Sequence, residues 1–259
     1  MAAAQRMFLS FRCIFCAGAL AVCAVLPLPA TAADVLVFAA GASKVAIEQL
    51  APAYQRWSGD TLVVRSDTVG ALRERIAQGE RPALTILSQV AIDNLIAQGH
   101  VQASQTWPVG TVRAGLAVQR GAPVPDISTV EHLKQTLLHA RSLAHADGAR
   151  GATSGAHFAK LIDQLGLRQA LQAKLVILPF GVDVIDGVAA GRFELGASQS
   201  SEIVPHAAVT YVGDLPTPYA LSTPYAAAVV AGSALGARLL GFLSSAVGVT
   251  TFAAAGFTP

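Results

Sequence analysis

The hydrophobic positions of this chain alternate between short continuous apolar runs and runs spaced three or four residues apart. Residues 35–39 form a continuous apolar run, which predicts a buried strand, and residues 46–57 have the helical spacing that predicts a helix after Gly41. The same order follows twice more, with strands at 61–65 and 83–87 and helices that begin near Leu72 and span 91–97. This alternation predicts a parallel sheet with helices on both faces.

The middle of the chain repeats the pattern and predicts a second sheet. The apolar runs at 115–118, 142–144, 175–178 and 195–198 predict strands, and a helix is predicted after Gly155. Three prolines within 214–224 predict an extended crossing segment. A strand at 226–231 and one alanine-rich helix over about 234–252 end the chain, and we expect this tail to pack against the first sheet.

These elements predict an α/β fold of two lobes with mostly parallel sheets. Lobe 1 is predicted to consist of residues 34–114 plus 222–259, and lobe 2 of residues 115–221. The two crossing strands are expected near 112–116 and 219–223. Because open parallel sheets bind ligands at the carboxyl ends of their strands, we expect a ligand to lie between the lobes.

The first 33 residues resemble a secretory signal peptide. Two arginines precede an apolar stretch over 13–28, and small residues at 30–33 suit cleavage. This predicts export across the cytoplasmic membrane. A membrane anchor is the alternative, although Pro27 and Pro29 interrupt the stretch. Lipid attachment at Cys23 is a second alternative, but Val22 is a poor preceding residue.

The composition beyond residue 33 excludes several kinds of function. All three cysteines precede residue 34, so the mature chain has no disulfide, thiolate metal site or cysteine nucleophile. Removing Arg6 and Arg12 from the 18 basic residues leaves 16, against 16 acidic residues, so no basic surface for nucleic acid is expected. The six histidines lack metal-ligand spacing. We therefore expect no metal, no cofactor and no catalytic residue, and a monomer.

Glycine and hydroxyl residues recur where strands meet helices. Such loops occur at 40–43, 67–70, 148–155, 180–183 and 197–201. The first backbone N–H groups of a helix lack intrahelical partners and lie at the positive end of the helix dipole, so they bind anions. A single loop of this kind is more often a simple cap and turn. Several loops around one cleft would surround a small anion without a lysine or arginine.

Several short motifs are similar to those of the periplasmic molybdate-binding-type solute receptors of bacterial ABC importers. The similar segments are 38–40, 69–72, 78–79, 83–87, 191–197 and 256–257. The resemblance spans the mature chain and implies a type II periplasmic binding-protein fold. It also implies a membrane permease of an ABC transporter as the partner.

The ligand residues of that family transfer only in part. Its first ligand serine corresponds to Ala42, with Ser43 one step later. A second ligand serine corresponds to Val69, after Thr68, and a ligand tyrosine corresponds to Gln199. The amide-donating loop corresponds to Ser154 and Gly155. The full set of ligand-binding candidates is Ala42, Ser43, Thr68, Val69, Ser154, Gly155, Asp183 and Gln199.

The resemblance predicts a receptor that closes around a small anion, such as a molybdate-like oxyanion, through backbone amides and hydroxyls. Because Gln199 both donates and accepts hydrogen bonds, a small organic acid is the alternative, with Arg65, Arg113 and Arg150 as candidates for a carboxylate clamp. Bulky residues in place of Ser154 and Gly155 are expected to abolish binding and leave the fold intact.

Two other functions share features of this sequence. A ligand-sensing module has the same sequence features as a transport receptor. A secreted serine hydrolase lacks the second glycine of Gly-x-Ser-x-Gly at 196–200. Glu202 is expected to cap the segment after Gln199, and His157 is a residue that reaches the ligand or lies on a helix surface.

Overall fold

The computed structural model describes residues 32–259, so nearly all of the predicted signal segment lies outside the described residues. The nine strands in this part of the chain are β1 Asp34–Ala40, β2 Thr61–Asp67, β3 Leu84–Ser88, β4 Val101–Gln119, β5 Leu143–Ala146, β6 Leu175–Leu178, β7 Leu195–Gln199, β8 Val209–Asp214 and β9 Ser222–Val230. The helices are α1 Gly41–Ser58, α2 Val69–Ala77, α3 Gln89–Ala97, α4 Val130–His139, α5 Thr153–Gln164, α6 Arg168–Leu171, α7 Gly181–Ala189, α8 Ser200–Ile203, α9 Ala234–Leu243 and α10 Ala246–Ala254. A short 3₁₀ turn, Gly148–Arg150, precedes α5.

The strands lie in the order β2-β1-β3-β9-β4-β7-β5-β6, and β8 pairs with β4. The strand-helix units predicted from the sequence form the parallel parts, because β1 pairs in parallel with β2 and β3, and β5 with β6 and β7. Each antiparallel pairing of the described strands includes β4 or β9. The predicted α/β fold class is therefore confirmed.

Two long strands connect the two parallel groups. Val112 of β4 lies opposite Thr223 of β9, and Arg113 lies opposite Ser222. At the next residue the Ala114 N–H donates to the Leu221 carbonyl over 3.0 Å, and from there β4 pairs with β7 and β8 instead. The two segments that the sequence predicts as crossing strands thus lie side by side.

The buried apolar residues form one large cluster and two smaller ones. The large cluster draws its residues from 35–112 and 225–257. The two smaller clusters draw theirs only from 114–215. We propose that these clusters are the cores of the two lobes, with the boundaries predicted from the sequence.

The prediction of one C-terminal helix over 234–252 is wrong. Two helices form instead, and their axes differ by 68°. Ser244 and Ser245 separate them, and Gly248 packs so closely on the Leu243 carbonyl that a Cβ there would overlap it. Leu243 and Phe252 both join the large cluster, so the break lets both helices bury their apolar residues on the same core.

Within residues 32–259, no single helix has the length and hydropathy required to cross a membrane. The pair α9 and α10 meets that requirement only when the two bent helices are counted together.

Candidate functional site

Four helices of the described chain begin around one small cavity. Its volume is about 30 Å³, close to the share of one water molecule in the liquid. The lining comes from the starts of α1, α2, α5 and α7, the ends of β5 and β7, and single residues of α8 and β9. The lining residues are Ala40, Gly41, Ala42, Asp67, Thr68, Val69, Ala146, Ala152, Thr153, Ser154, Phe180, Gly181, Gln199, Glu202 and Tyr225. We call this space the small cavity.

The helix starts at the small cavity have N–H groups that their own caps do not satisfy. Ala40, Ala152 and Phe180 are the cap residues of α1, α5 and α7, and none of them caps its helix with a side chain. A helix start carries unpaired N–H groups and partial positive charge, so three such starts favour an anion. At α2 the Thr68 side chain accepts from the Ala71 N–H, so this start is capped.

Five of the eight ligand-binding candidates line the small cavity, namely Ala42, Thr68, Val69, Ser154 and Gln199. The other three lie elsewhere. The Ser43 hydroxyl donates to the Ala40 carbonyl over 2.9 Å within the first turn of α1. Gly155 packs against β5, and Asp183 lies in a neighbouring groove of about 280 Å³.

The hydroxyls of Thr68 and Ser154 are placed differently. Thr68 donates to the Arg150 carbonyl as well as accepting from Ala71, so both of its hydrogen-bonding roles are used within the protein. Ser154 is also buried, yet no hydrogen bond of its hydroxyl is found among the described residues. Ser154 is therefore the hydroxyl with spare capacity for a ligand.

The position of Gly155 is at odds with the expectation that bulky residues in this loop leave the fold intact. A Cβ at Gly155 would overlap the Ala146 carbonyl oxygen on β5. Any side chain there would push α5 away from the sheet, so the fold would not stay intact. A substitution at Ser154 without one at Gly155 therefore tests the role of this loop in ligand binding.

Two glycines bring the start of α2 against the turn that precedes α5. The Gly70 N–H donates to the Gly151 carbonyl over 3.4 Å. A Cβ on Gly70 would lie 3.0 Å from the Gly151 Cα, and one on Gly151 would lie 2.8 Å from the Gly70 Cα. We call this pair the glycine contact.

Glu202 is the main feature of the cavity wall that the sequence did not identify as a ligand-binding candidate. Its side chain is buried, and it accepts hydrogen bonds from the Ser198 hydroxyl and, over 3.4 Å, from the Gln199 N–H. The capping box between Gln199 and Glu202 confirms the predicted capping role. Burial raises the pKa of the Glu202 carboxyl, more than these hydrogen bonds lower it.

The Glu202 carboxyl reaches the starts of both α1 and α7. A Cβ on Gly41 would lie 2.7 Å from Oε1, and one on Gly181 would overlap Oε2. We call Gly41, Gly181 and Glu202 the carboxyl contact. The spacing Gln-x-x-Glu after a strand was the sequence signal, but it indicates a cap and says nothing about a cavity.

Tyr225 brings a phenol to the small cavity from β9. The resemblance places a tyrosine at the position of Gln199, and here the Tyr225 hydroxyl donates to Gln199 Oε1 over 3.3 Å. Burial raises the pKa of this phenol. A tyrosine within an apolar strand is typical of a core, so its sequence carried no signal for this placement.

The three arginines considered as a carboxylate clamp do not line the small cavity. Arg65 lies 3.7 Å from Glu80, and Arg113 pairs with Asp214 over 3.0 Å. The Arg150 guanidinium lies over the ring of Phe180, which does line the cavity. His157 contacts the Tyr219 carbonyl through Nε2 over 2.8 Å.

A larger cavity of about 520 Å³ lies away from these helix starts. In its wall Arg141 and Glu194 lie 3.0 Å apart, and Nδ1 of His132 lies 2.6 Å from the Asp126 carboxylate. No cluster of three potential metal-ligating side chains occurs within residues 32–259.

A family profile and one named relative match most of this chain. The profile of the family described as bacterial extracellular solute-binding protein matches residues 35–258. An aconitate isomerase from a Pseudomonas species is 31% identical over 203 residues, which cover 76% of each chain.

Two solved structures show the same fold. The periplasmic molybdate-binding protein of Azotobacter vinelandii has a TM-score of 0.71 at 19% identity, over 87% of this chain and 99% of the other. PEB3 of Campylobacter jejuni, solved with bound L-phospholactate, has a TM-score of 0.64 at 15% identity, over 87% of this chain and 100% of the other.

Proposed function

This chain belongs to the family of bacterial extracellular solute-binding proteins, and we propose from that premise that it captures a small carboxylic acid anion in the small cavity. The observation that supports this most is the meeting of three uncapped helix starts, those of α1, α5 and α7, around one space. We further propose that the protein works in the periplasm as a monomer and delivers its ligand to an ABC permease.

The donors at the small cavity are sufficient for useful affinity. Hydrogen bonds to a charged group contribute about 1.5–3 kcal/mol each, and micromolar binding requires about 8 kcal/mol, so roughly four such bonds suffice. Backbone N–H groups at the three helix starts and the Ser154 hydroxyl supply them. The anion then needs no arginine or lysine.

The acceptors on the cavity wall favour an organic acid over a molybdate-like oxyanion. A fully ionised tetrahedral oxyanion accepts hydrogen bonds only, whereas Glu202 brings carboxyl oxygens to the cavity wall. A carboxylic acid or hydroxy acid carries both kinds of group. The relative named aconitate isomerase is consistent with this class, because aconitate is a tricarboxylic acid.

Ligand entry requires the segments around the small cavity to separate. A volume of about 30 Å³ is far below the roughly 300 Å³ or more of a usual ligand pocket and is too small for a tricarboxylic acid. At the crossing of β4 and β9, near Arg113 and Ser222, the chain passes from the large apolar cluster to the two smaller ones. We propose that this crossing is the hinge, and that bonds from both lobes to the ligand stabilise the closed form.

Calorimetry with the purified protein tests the ligand class. We expect trans-aconitate or citrate to bind and to raise the melting temperature, because a ligand that binds only the folded state stabilises it. Molybdate and sulfate are expected to have little effect. A response to molybdate alone would replace the organic acid by the oxyanion, and no response to any of these anions would contradict the proposal.

A second candidate function is isomerisation of the bound acid. The observation that favours it is the buried Glu202 carboxyl on the cavity wall, whose pKa is raised, since such a group suits proton transfer. The test is an NMR time course of cis-aconitate with the protein. Growth of trans-aconitate signals that is lost in Glu202→Gln would support the enzyme, and tight binding without conversion would support the receptor.

A further inference from the structure

We propose that Glu202 sets the ligand specificity of the small cavity by sharing one proton with the bound acid. The site then favours a carboxylate, whose oxygen is basic enough to share this proton, over a weakly basic oxyanion such as sulfate. This inference rests on the proposed function and identifies the group that distinguishes the two ligand classes.

The position of the carboxyl group is the first argument. Glu202 is 7% exposed and lines the small cavity. Its two oxygens lie against the glycines that begin α1 and α7. A ligand that bonds to the N–H groups at these two helix starts is therefore in reach of the same carboxyl.

The hydrogen bonds of the two carboxyl oxygens differ. Oε2 accepts from the Ser198 hydroxyl and from the Gln199 N–H. Within the described residues no hydrogen bond to Oε1 is formed, so this oxygen keeps its capacity to bond to a ligand. When a ligand oxygen approaches Oε1, one proton must lie between them, because two ionised oxygens at that distance repel each other.

The charges around Glu202 do not neutralise it. Asp183 and Asp186 lie on α7, Lys44 and Glu48 lie on α1, and His206 follows α8 at 3.4 Å from Asp186. None of these side chains forms a hydrogen bond with the Glu202 carboxyl. Asp183 raises the pKa of Glu202 further, after the larger effect of burial.

The strands that pack against this region carry no free cation for Glu202 either. Arg113 on β4 pairs with Asp214 on β8, which also accepts from the Tyr211 hydroxyl. Asp67 at the end of β2 and Tyr225 on β9 line the cavity and bring no positive charge. A proton is thus the available partner for a carboxyl that faces an anion.

A route for the proton exists on the other side of the carboxyl. Glu202 also lines the groove of about 280 Å³ that contains Lys44, Asp183 and His206. The same side chain thus borders the small cavity and a wider groove. Proton exchange through the groove does not require the cavity itself to open.

The test is calorimetric titration of trans-aconitate at one pH in two buffers with different ionisation enthalpies. The difference between the two heats of binding gives the number of protons taken up. The same measurement on Glu202→Gln gives the contribution of the ligand's own ionisation, which is subtracted. We expect the natural protein to take up about one proton more than Glu202→Gln. We also expect the affinity of the natural protein to fall as the pH rises, by up to about tenfold per pH unit between the pKa of the free carboxyl and that of the ligand-bound carboxyl. The affinity of Glu202→Gln should depend less on pH.

Ser198→Ala is the matched control, because it removes a hydrogen bond to Oε2 and keeps the carboxyl. It is expected to retain the proton uptake. Equal uptake by the natural protein and Glu202→Gln would overturn the inference and leave the proposed function standing, whereas failure of trans-aconitate to bind at all would overturn the proposed function. Should Glu202→Gln not fold, a pH-independent affinity of the natural protein and of Ser198→Ala would overturn the inference equally.

Discussion

The carboxyl contact and the glycine contact both join a helix within residues 34–114 to a segment within residues 115–221, but they do so by different means. At Gly70 and Gly151 backbone lies on backbone, and no group that titrates is involved. At Gly41 and Gly181 the space is filled by the Glu202 carboxyl. Neither contact leaves room for a Cβ on its glycines, and only the carboxyl contact contains a group that can change its charge.

The difference separates two properties of the site. The glycine contact determines how closely the segments approach, whatever the ligand. The carboxyl contact determines which ligand and which protonation state the cavity accepts. Substitutions at the two contacts should therefore differ in their dependence on pH and on ligand class.

The largest effect is expected for Gly70→Val at the glycine contact. The side chain would separate the start of α2 from Gly151, because the Cβ alone would lie 3.0 Å from the Gly151 Cα. Overpacking costs about 1–3 kcal/mol, which corresponds to a loss of roughly 5- to 150-fold in ligand affinity. Calorimetry at two pH values measures the loss, which should be equal at both.

Gly241→Ala in α9 is the control for that substitution, since nothing lies within 4 Å of its Cβ position. It should leave affinity unchanged and stabilise the helix slightly. If Gly70→Val binds as tightly as Gly241→Ala, the glycine contact has no role in closure.

A loss of comparable size, at least about tenfold, is expected for Ser154→Ala, because one hydrogen bond to a charged ligand, worth about 1.5–3 kcal/mol, is removed. Ser43→Ala is its matched control, since the Ser43 hydroxyl already donates to the Ala40 carbonyl. Calorimetry should show the loss for Ser154→Ala and none for Ser43→Ala. The same affinity in both variants would remove Ser154 from the binding site.

The pH dependence of the free energy of unfolding tests whether Glu202 is a buried carboxyl with a raised pKa. Because burial raises its pKa above the ordinary value of 4.5, the folded protein binds this proton more tightly than the unfolded chain. Its contribution to stability is therefore present below pH 4.5 and is lost as the pH rises through the folded-state pKa. Urea unfolding of the natural protein should show this loss, and Glu202→Gln should lack it; parallel profiles would argue against an ionisable, buried Glu202.

His145 on β5 is expected to contribute a pH dependence of stability of the opposite sign. Burial lowers its pKa below the ordinary value of 6.5, so the folded protein holds the neutral ring. Stability should fall as the pH drops below 6.5. The loss should be absent in His145→Gln in the same urea titrations, and its persistence there would assign it to another group.

The parallel strand-helix units were predictable from the sequence because their apolar period is local. The first half of β4 was not predicted, since residues 102–110 have no continuous apolar run and contain Pro108, and their strand form depends on pairing with β9. Helix α4 and strand β8 were also missed. The break between α9 and α10 was missed because the alanine-rich sequence around it has helical composition, and the break depends on the close contact at Gly248.

The candidate site was predictable where its residues lie at or beside helix starts. Ala42, Val69 and Ser154 lie at helix starts, which local sequence marks with glycines and hydroxyls. Glu202 and Tyr225 reach the cavity through tertiary structure, one across α1 and α7 and the other from β9. Neither has a local pattern that distinguishes it from a helix cap or a core residue.

We propose that helix starts from both predicted lobes hold one small organic anion between them. A crystal structure of the protein grown with trans-aconitate tests it most directly. We predict ligand density in the small cavity, within hydrogen-bond distance of backbone N–H groups at the starts of α1, α5 and α7. Density confined to the larger cavity beside Arg141 and His132 would contradict the account.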